Sequence, residues 1–474
     1  MTVYTIFSIV AAAALALGIL RFFVKKPTNI YVTFLQDFIG VFFIFSGFVK
    51  AVDPLGTSFK MHEYFEAFAQ EGFRPLWEFL TGFSTAFAIL MIAAELFFGF
   101  MLLLGWKTRW TVGFIWLLTL FFTFLTGYTY LSGYCITPKF ILSAAFVFGL
   151  LALIVFPKTM GKKITILGPS VLLLVILCGM FMSDSSAACS FTETKMKVTD
   201  CGCFGDFIKL KPWETFYKDI ILDLMILVLV LTPHLISEAL STTFRNIAAG
   251  IIGGLALLFC LYNVYWNEPV LDFRPYAVGN NIPELRTEKK PAKVEMIFVY
   301  RSNKTGEAKE FSYDDVMKGK MDYAEYDSMI ERKDKVLDPG IPAKITNLRI
   351  ENDEGTDITD ELFAEPGYSF MVVAYNLHKT NEPAFQKLNE IAAGSGQVGA
   401  KFFAVTVNDG KVEDFRHRNQ TAYPFYHADE TPLKTIIRSN PGLVLLKNGT
   451  VVGKWHYRHL PSWEDLKKEY FSNK

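Results

Sequence analysis

Cysteines are the residues of this sequence whose spacing points most clearly to chemistry. Cys201 and Cys203 are separated only by Gly202, in the run DCGCFGD, and eleven residues lie between Cys189 and Cys201. A disulfide that closes so small a ring is strained, and a strained disulfide is readily reduced and exchanged. The spacing therefore predicts that Cys201 and Cys203 exchange a disulfide with another thiol, with Cys189 as the resolving thiol.

Two other interpretations of this loop stay open. Cys189 can form a structural disulfide with one member of the pair, which would hold the loop without any exchange. Metal binding is the least favoured, because the loop contains no histidine and His62 stands alone in another loop; we expect no metal. Cys135, in a further loop on the same predicted side, is a candidate relay thiol.

The chain divides into an apolar part and a charged part near Asn267. Hydrophobic residues make up 51% of the 474 residues, and basic and acidic residues number 47 each. Of these 94 charged residues, only 33 precede Asn267. This division excludes a cytosolic globular enzyme and a disordered chain. The balanced total provides no basic field, so we expect no nucleic-acid partner.

Eight apolar segments are long enough to cross a bilayer, which takes roughly 20 helical residues. Short basic loops between alternate segments place the amino terminus and everything after Asn267 on the outer side. All six cysteines precede Asn267 and lie on or near that side, where disulfides persist. We predict a multi-pass membrane protein with its C-terminal domain on the outer side; in a double-membrane bacterium, this means the inner membrane with the C-terminal domain in the periplasm. The segments are Val3 to Phe23, Tyr31 to Ala51, Phe79 to Gly105, Trp110 to Gly133, Phe140 to Phe156, Ile164 to Met182, Phe216 to Ile236 and Ile247 to Tyr265.

Acidic residues inside these segments need partners, because an intramembrane charge costs about 2.5 to 3.5 kcal/mol on insertion scales. Glu95 lies in the middle of its segment and supports two interpretations, proton handling or quinone contact on one side and an interhelical hydrogen bond on the other. Asp37 and Asp223 lie nearer the segment ends, which favours structural hydrogen bonds. Outside the segments, aromatic spacing from Phe59 to Phe73 predicts an amphipathic helix at the membrane interface.

Several phrases resemble the DoxX and MauE families of bacterial membrane proteins. FIFSGFVK at 43–50, ELFFG at 95–99 and LLLGWKTR at 102–109 resemble DoxX, in which Glu95 matches an acid of the second family helix. CGCFG followed by Trp213 and a further span resembles MauE, a methylamine-utilisation protein associated with disulfide formation in a periplasmic enzyme subunit. The resemblance covers about Tyr31 to Ile236 and departs from the pattern at Asp37, where many DoxX members have a basic residue. It implies a thiol-disulfide role, with quinone as electron acceptor by analogy.

From Asn267 to about Pro342 the sequence predicts irregular structure with one hairpin, whose strands Lys293 to Arg301 and Glu307 to Phe311 flank a turn at Gly306. From Pro342 onward it predicts buried strands at Tyr368 to Ala374 and Lys401 to Val407, and helices at Ile358 to Leu362, Glu382 to Ala393, Thr431 to Arg438 and Trp463 to Tyr470. This alternation resembles the thioredoxin-like fold of the peroxiredoxin and TlpA type. The resemblance covers about Pro342 to Lys474 and implies a cis bond at Asn440-Pro441. The strand from Tyr368 to Ala374 is followed by YNLH, where that fold carries its C-x-x-C motif, and no cysteine follows Cys260. The resemblance therefore implies a groove at Pro441, Asn440 and Tyr375 that binds a protein instead of exchanging disulfides.

The predicted fold class is a polytopic α-helical membrane domain of about eight spans, including a DoxX-like four-helix bundle, joined to an α/β thioredoxin-like domain. This arrangement resembles a group of Bacteroidetes proteins.

Two functions follow as hypotheses. One is a membrane thiol-disulfide redox component that acts on periplasmic or membrane proteins; the other is a non-enzymatic envelope scaffold with structural disulfides. The predicted parts are an N-terminal transmembrane helix at 1–28, a DoxX/MauE-like bundle at 29–182, a periplasmic cysteine loop at 183–215, two further transmembrane helices at 216–266, a linker with β structure at 267–341 and the thioredoxin-like domain at 342–474.

Overall fold

The computed structural model of the chain falls into two compact units, Met1–Phe273 and Arg274–Lys474. The first unit is helical and the second contains two β-sheets. This division lies a few residues after the composition change at Asn267. The structure describes residues 2–24, 27–72, 74–133, 196–198, 202, 204–205, 207–208, 210–326, 328–338, 340–408 and 410–472, without the side chains of 24, 334 and 336.

The helical unit contains eight α-helices among its described residues. Asn29 caps α2 by accepting hydrogen bonds from the backbone N–H groups of Tyr31 and Val32, and Asp53 caps α3 through the N–H of Gly56. The eight helices are α1 (Val3–Val24), α2 (Ile30–Val52), α3 (Pro54–Glu71), α4 (Arg74–Gly82), α5 (Ser84–Leu104), α6 (Thr108–Ser132), α7 (Pro212–Leu231) and α8 (Thr242–Tyr265).

Five of the eight predicted membrane spans are confirmed as helices long and apolar enough to cross a bilayer; they are α1, α2, α5, α6 and α8. The prediction for Phe79 to Gly105 began too early, because α4 and α5 are separate helices. The segment predicted from Phe216 is helical as α7 but carries buried Lys218, Asp219 and Asp223. The spans predicted at Phe140 to Phe156 and Ile164 to Met182 lie outside the described residues.

The predicted amphipathic helix is present as α3, but its aromatic face packs on protein. Tyr64, Phe65 and Phe68 are buried in a cluster with residues of α6, and the Tyr64 hydroxyl is 2.6 Å from the Thr129 hydroxyl. The apolar face of α3 therefore contributes to the core of the bundle.

Helices α2 and α5 pack closely against each other in the helical unit. A Cβ atom added to Gly47 on α2 would lie 3.0 Å from Leu96 and 3.1 Å from the Cβ of Glu95, both on α5. Small residues of this kind allow membrane helices to approach closely. The lack of a side chain at Gly47 therefore brings α2 against α5 where Glu95 lies.

The second unit is built around a six-stranded sheet. Its strands are ordered β4-β7-β6-β5-β8-β9, with β5, β6 and β7 parallel to one another and the other neighbours antiparallel. Alternate residues of β5 pack into clusters on opposite faces of the sheet, Phe370 and Val372 in one and Met371 and Val373 in the other. Both faces of the central strand are therefore covered, as its continuous apolar run predicted. The strands are β4 (Ile350–Glu351), β5 (Tyr368–Ala374), β6 (Lys401–Thr406), β7 (Phe425–Ala428), β8 (Gly442–Lys447) and β9 (Thr450–His456).

The described residues of the second unit also form short helices, and those that the sequence predicts lie close to their predicted positions. The helix predicted from Glu382 to Ala393 is α12, and the one predicted from Thr431 to Arg438 is α14. The helix after Trp463 continues beyond α15 as a π-helical turn, Lys467–Phe471. The helices are α9 (Ile282–Arg286), α10 (Tyr313–Met317), α11 (Thr359–Phe363), α12 (Ala384–Gln397), α13 (Val412–Asn419), α14 (Glu430–Ile436) and α15 (Trp463–Leu466).

A second, three-stranded sheet precedes the larger one. The predicted hairpin is confirmed as β1 (Lys293–Arg301) and β2 (Ala308–Ser312), and β3 (Ser328–Asp338) pairs antiparallel with the other edge of β1. The sequence predicts an irregular segment around β3. The segment is instead a strand because it pairs with β1. This partner is not its neighbour in sequence, so no local pattern predicts the pairing.

Candidate functional site

A buried ion pair joins α2 to α5 in the helical unit. The Lys50 ammonium donates to Glu95 Oε1 at 2.6 Å and to the Ser46 hydroxyl at 3.1 Å, and both charged side chains are about 3% exposed or less. The ammonium also lies 4.4 Å from the centre of the Phe122 ring on α6, a cation-π contact. Glu95 therefore has a charged partner from a neighbouring helix.

A second group of buried charges lies on α7. The Lys218 ammonium lies 2.5 Å from Asp219 Oδ1. The other oxygen, Asp219 Oδ2, accepts a hydrogen bond from the Thr126 hydroxyl of α6 at 3.0 Å. One turn later, Asp223 Oδ2 accepts from the Thr123 hydroxyl at 2.6 Å. Hydroxyl groups of α6 thus hold the two buried carboxyl groups of α7 in place.

The two groups line one small cavity. Lys50, Glu95, Lys218 and Asp219 all border it, and its volume of about 10 Å³ is close to the space that one water molecule occupies. We call the set Lys50, Glu95, Lys218, Asp219 and Asp223 the buried charge cluster. Carboxyl and ammonium groups around a water-sized space can exchange protons and can hold hydrogen bonds that orient neighbours.

The segment that carries the cysteine pair contacts the wall of this cavity. Phe204 is 1% exposed, and its ring centre is 6.0 Å from that of Phe42, which lines the cavity. The Lys218 ammonium lies 5.4 Å from the same Phe204 ring. Gly202 adopts a left-handed φ of +60°, and a Cβ there would come 3.0 Å from Lys60 Cγ on α3. Glycine between the two cysteines is therefore required by backbone conformation and by space.

The predicted cysteine sites lie mostly beyond what the structure describes. Cys201, Cys203, Cys189 and Cys135 are outside the described residues, so their roles stay predictions. Cys260 is described; it is a buried free thiol on α8, packed among Ala51, Leu96 and other apolar side chains.

The remaining intramembrane acid, Asp37, pairs with α1. Its carboxylate oxygens lie 2.8 and 3.1 Å from the guanidinium nitrogens of Arg21, which also donates to the backbone carbonyl of Leu103. This contact between three helices agrees with the structural interpretation of Asp37. Many DoxX members have a basic residue where this chain has Asp37. Here the basic residue is Arg21, on another helix, and it pairs with that acid.

In the second unit, the residues predicted to line a partner groove are close together. The Asn440-Pro441 peptide bond is cis, as expected. The Tyr375 hydroxyl donates to the backbone carbonyl of Arg438 at 3.0 Å, and the Asn440 amide donates to the carbonyl of Asn376 at 2.8 Å. These bonds connect the end of β5 to the segment before β8, and Pro441 itself is buried.

Sequence reasoning identified Glu95 but missed Lys50, Lys218 and Asp219 as members of the same cluster. Lys50 ends the phrase FIFSGFVK, and Lys218 and Asp219 lie near the start of the span predicted from Phe216. A signal was available, since each is a charge inside a segment long enough to cross a bilayer. Their convergence depends on packing between helices distant in sequence.

A comparison with known families supports the membrane assignment. Residues 28–137, less than a quarter of the chain, match the model of the family described as methylamine utilisation protein MauE. The matched stretch includes α2 to α6, with Lys50 and Glu95, and ends before the cysteine pair. The protein is thus a membrane protein with a MauE-like region. No curated protein and no solved structure matched the chain.

Proposed function

We propose that the protein is a membrane thiol-disulfide redox component that acts through Cys201 and Cys203. The observation that carries the proposal is the burial of Phe204, the residue after Cys203, against Phe42 and Lys218 at the wall of a cavity lined by ionisable groups. Thiol-disulfide exchange requires proton transfer, because the attacking species is the thiolate. A segment fixed beside proton-exchanging groups suits this chemistry.

The proposed reaction is an exchange with a dithiol on a periplasmic or membrane protein. A substrate thiolate attacks the Cys201-Cys203 disulfide and forms a mixed disulfide, and the second substrate thiolate then displaces the loop thiol. The substrate gains a disulfide, and the loop gains two electrons and two protons. A membrane quinone, reduced to a quinol by the same two electrons and two protons, would restore the loop disulfide, with Cys189 as resolving thiol and Cys135 as relay.

This chemistry places the cysteine loop and the second unit outside the cytoplasm, in the periplasm of a bacterial inner membrane. Fusion of alkaline phosphatase after residue 474 tests the placement, because this reporter needs disulfides and is active only where they form. The proposal expects activity from that fusion and none from a fusion in the loop after Leu104. Activity in the reverse pattern would place the loop in a reducing compartment and exclude the reaction.

The second unit then serves as a recognition module. Its sheet order and the cis bond before β8 support the thioredoxin-like assignment, and the DoxX-like assignment of the bundle is part of the same proposal. Since the sequence has no cysteine after Cys260, this unit cannot exchange disulfides itself. We place a protein-binding groove at Tyr375, Asn440 and Pro441, where the substrate protein would be held for the loop.

Cysteine variants test the reaction directly. In a Cys189→Ser background, which lacks the resolving thiol, Cys201→Ser or Cys203→Ser leaves one loop thiolate that can attack the disulfide of an oxidised substrate and release one substrate thiolate. The resulting mixed disulfide has no second loop thiol to resolve it, so a covalent adduct with a protein should accumulate. The adduct should run as a heavier band on non-reducing gels and disappear with reductant, and Cys260→Ser is the matched control because Cys260 is buried. If neither loop variant forms an adduct in cells, the exchange function is wrong.

A scaffold function remains the second candidate, and one observation favours it. The Lys50–Glu95 pair joins two helices through a buried contact, as an interhelical clamp would. On this account, Cys189 forms a structural bridge and the second unit binds a protein partner without redox chemistry. Purification in mild detergent would then recover a stoichiometric partner that persists in the Cys201→Ser variant without any covalent adduct.

A further inference from the structure

The buried charge cluster contains more carboxyl groups than cations. Among the described residues, Lys50 and Lys218 supply two ammonium groups, whereas Glu95, Asp219 and Asp223 supply three carboxyl groups. Each of the five side chains is less than 8% exposed. Full ionisation would leave one negative charge without compensation inside the membrane, which is unfavourable. The neutral cluster therefore contains one proton in addition to the two ammonium groups.

The contacts indicate where this proton resides. Lys50 pairs with Glu95 at 2.6 Å, and Lys218 pairs with Asp219 at 2.5 Å. Asp223 has no ion pair among the described residues. Its Oδ2 accepts from Thr123, while its Oδ1 is buried without a hydrogen-bond partner in the described part of the chain. Oδ1 is thus the position for the proton when both ion pairs are formed.

A path for exchange connects Asp223 with Glu95. Lys218 and Asp219 lie within electrostatic range of both carboxyl groups. Glu95 Oε2 also lacks a hydrogen-bond partner among the described residues, and Glu95 borders the cavity of about 10 Å³. One water molecule fits this cavity, which Glu95 and Asp219 both border. Among the described residues, the hydroxyls of α6 and the Cys260 thiol of α8 are further neighbours and carry no charge.

We propose that the buried charge cluster is an intramembrane binding site for one exchangeable proton, which resides on Asp223 and moves through Asp219 and a cavity water to Glu95. The site exists independently of the thiol chemistry. Its service to that chemistry, as the group that gives and takes the protons of the loop thiols, rests on the proposed function. Ion pairs with a purely structural role would not bind one exchangeable proton per cluster.

Infrared difference spectroscopy of the full-length protein in lipid nanodiscs tests the site at neutral pH. A protonated carboxyl group gives a carbonyl stretching band, and this band shifts when deuterium oxide replaces water. An ionised carboxylate gives no such band. We expect one such band in the wild type. Asp223→Asn should remove it because the proton carrier is gone. Glu95→Gln should also remove it, because two ammonium groups then balance two carboxylates and Asp223 ionises.

A variant of opposite sign strengthens the test. Lys50→Met removes a cation, leaves two carboxyl groups in excess and should roughly double the band. Glu78→Gln is the matched control, since Glu78 is exposed on α4 and outside the cluster; it should leave the band unchanged. Should Lys50→Met fail to fold, the loss of the band in Glu95→Gln, with Asp223 intact, carries the test alone.

Three results would overturn the proposal. They are the absence of the band in the wild type, a band that survives in both Asp223→Asn and Glu95→Gln, and a band removed by sodium but not by choline, which would make the occupant a metal cation. The double variant Cys201→Ser/Cys203→Ser should keep the band, although it cannot form the loop disulfide. A failed exchange function and a failed proton site are thereby distinguishable.

Discussion

Two buried ion pairs inside the helical unit bridge helices. Lys50 reaches Glu95 across α2 and α5, and Arg21 reaches Asp37 across α1 and α2. Burying a single charge is costly, and a partner with additional hydrogen bonds offsets much of that cost. The sequence marks such residues by their type, but only the packing of the helices shows which charge meets which.

Removing one partner of the central pair should be far more damaging than removing both. We expect Lys50→Ala to lower the free energy of unfolding by about 3 to 5 kcal/mol, because the buried Glu95 carboxyl group loses its ion pair and must take up a proton to remain buried. Lys50→Met combined with Glu95→Gln should recover most of that loss. Thermal unfolding in detergent micelles measures both, with Arg74→Ala in the exposed Arg74–Glu78 pair as a control that changes nothing measurable. Equal stability of Lys50→Ala and the wild type would mean that the pair is not buried as described.

In the second unit, a single carboxyl group offers a test of local electrostatics. Hydrogen bonds from the Lys320 ammonium and then the Ser312 hydroxyl lower the pKa of Asp315 to about 2, from an ordinary 3.8. Because the folded pKa lies below the unfolded one, the contribution of this contact is complete above about pH 4 and is lost as the pH falls towards 2. NMR titration of labelled carboxyl carbons should show the Asp315 pKa rising towards 3.8 in Lys320→Ala. Lys333→Ala, which breaks only the pair with Glu310, should leave it in place.

At the scale of elements, the approach of α2 to α5 determines the geometry of the buried charge cluster. Gly47 lies beside Glu95, and one turn before Lys50 on the same helix, so the spacing of the two helices and the ion pair depend on the same contact. Leu96 and Glu95 leave no room for a larger residue there. A substitution at Gly47 should therefore alter the geometry of the buried charge cluster without replacing any of its charged residues.

Matched glycine variants test this dependence. Gly47→Ala should cost about 1 to 3 kcal/mol of stability, because the new methyl group meets Leu96 at 3.0 Å and forces the helices apart. Gly18→Ala on α1 has open space around it and should be neutral or stabilising by up to about 1 kcal/mol, since alanine favours helices. Unfolding curves of the two variants in the same detergent measure the difference. A loss of equal size at both positions would contradict close packing at Gly47.

Elements with a clear hydrophobic pattern could be predicted from the sequence, and charged elements could not. The continuous run YSFMVVA at 368–374 predicted β5, and the turn around Gly306 predicted the first hairpin. In contrast, β3 carries Glu331, Arg332, Lys333 and Lys335 and lies in an exposed sheet, so no apolar alternation marks it. In α7, three charges interrupt the apolar pattern because they face the interior of the bundle. Which charges converge there depends on tertiary contacts that no local pattern records.

At the scale of the whole molecule, the division seen in composition corresponds to two separately packed units. The helical unit holds the buried charge cluster and the flanks of the cysteine pair, and the second unit holds a sheet without any thiol. The MauE-like match lies entirely within the helical unit. This division of chemistry and recognition between two units is the basis of the proposed function, which requires that the loop cysteines change redox state.

The redox state of Cys201 and Cys203 in intact cells tests that requirement most directly. Cells are quenched with acid, the thiols are alkylated with a reagent that adds mass, and the chain is separated on a gel before and after brief treatment with reductant. We expect two thiols to appear on reduction and to disappear within the recovery period after the reductant is removed, whereas Cys201→Ser/Cys203→Ser shows no such change. A pair that keeps one redox state under both conditions would contradict thiol-disulfide exchange and leave the scaffold function.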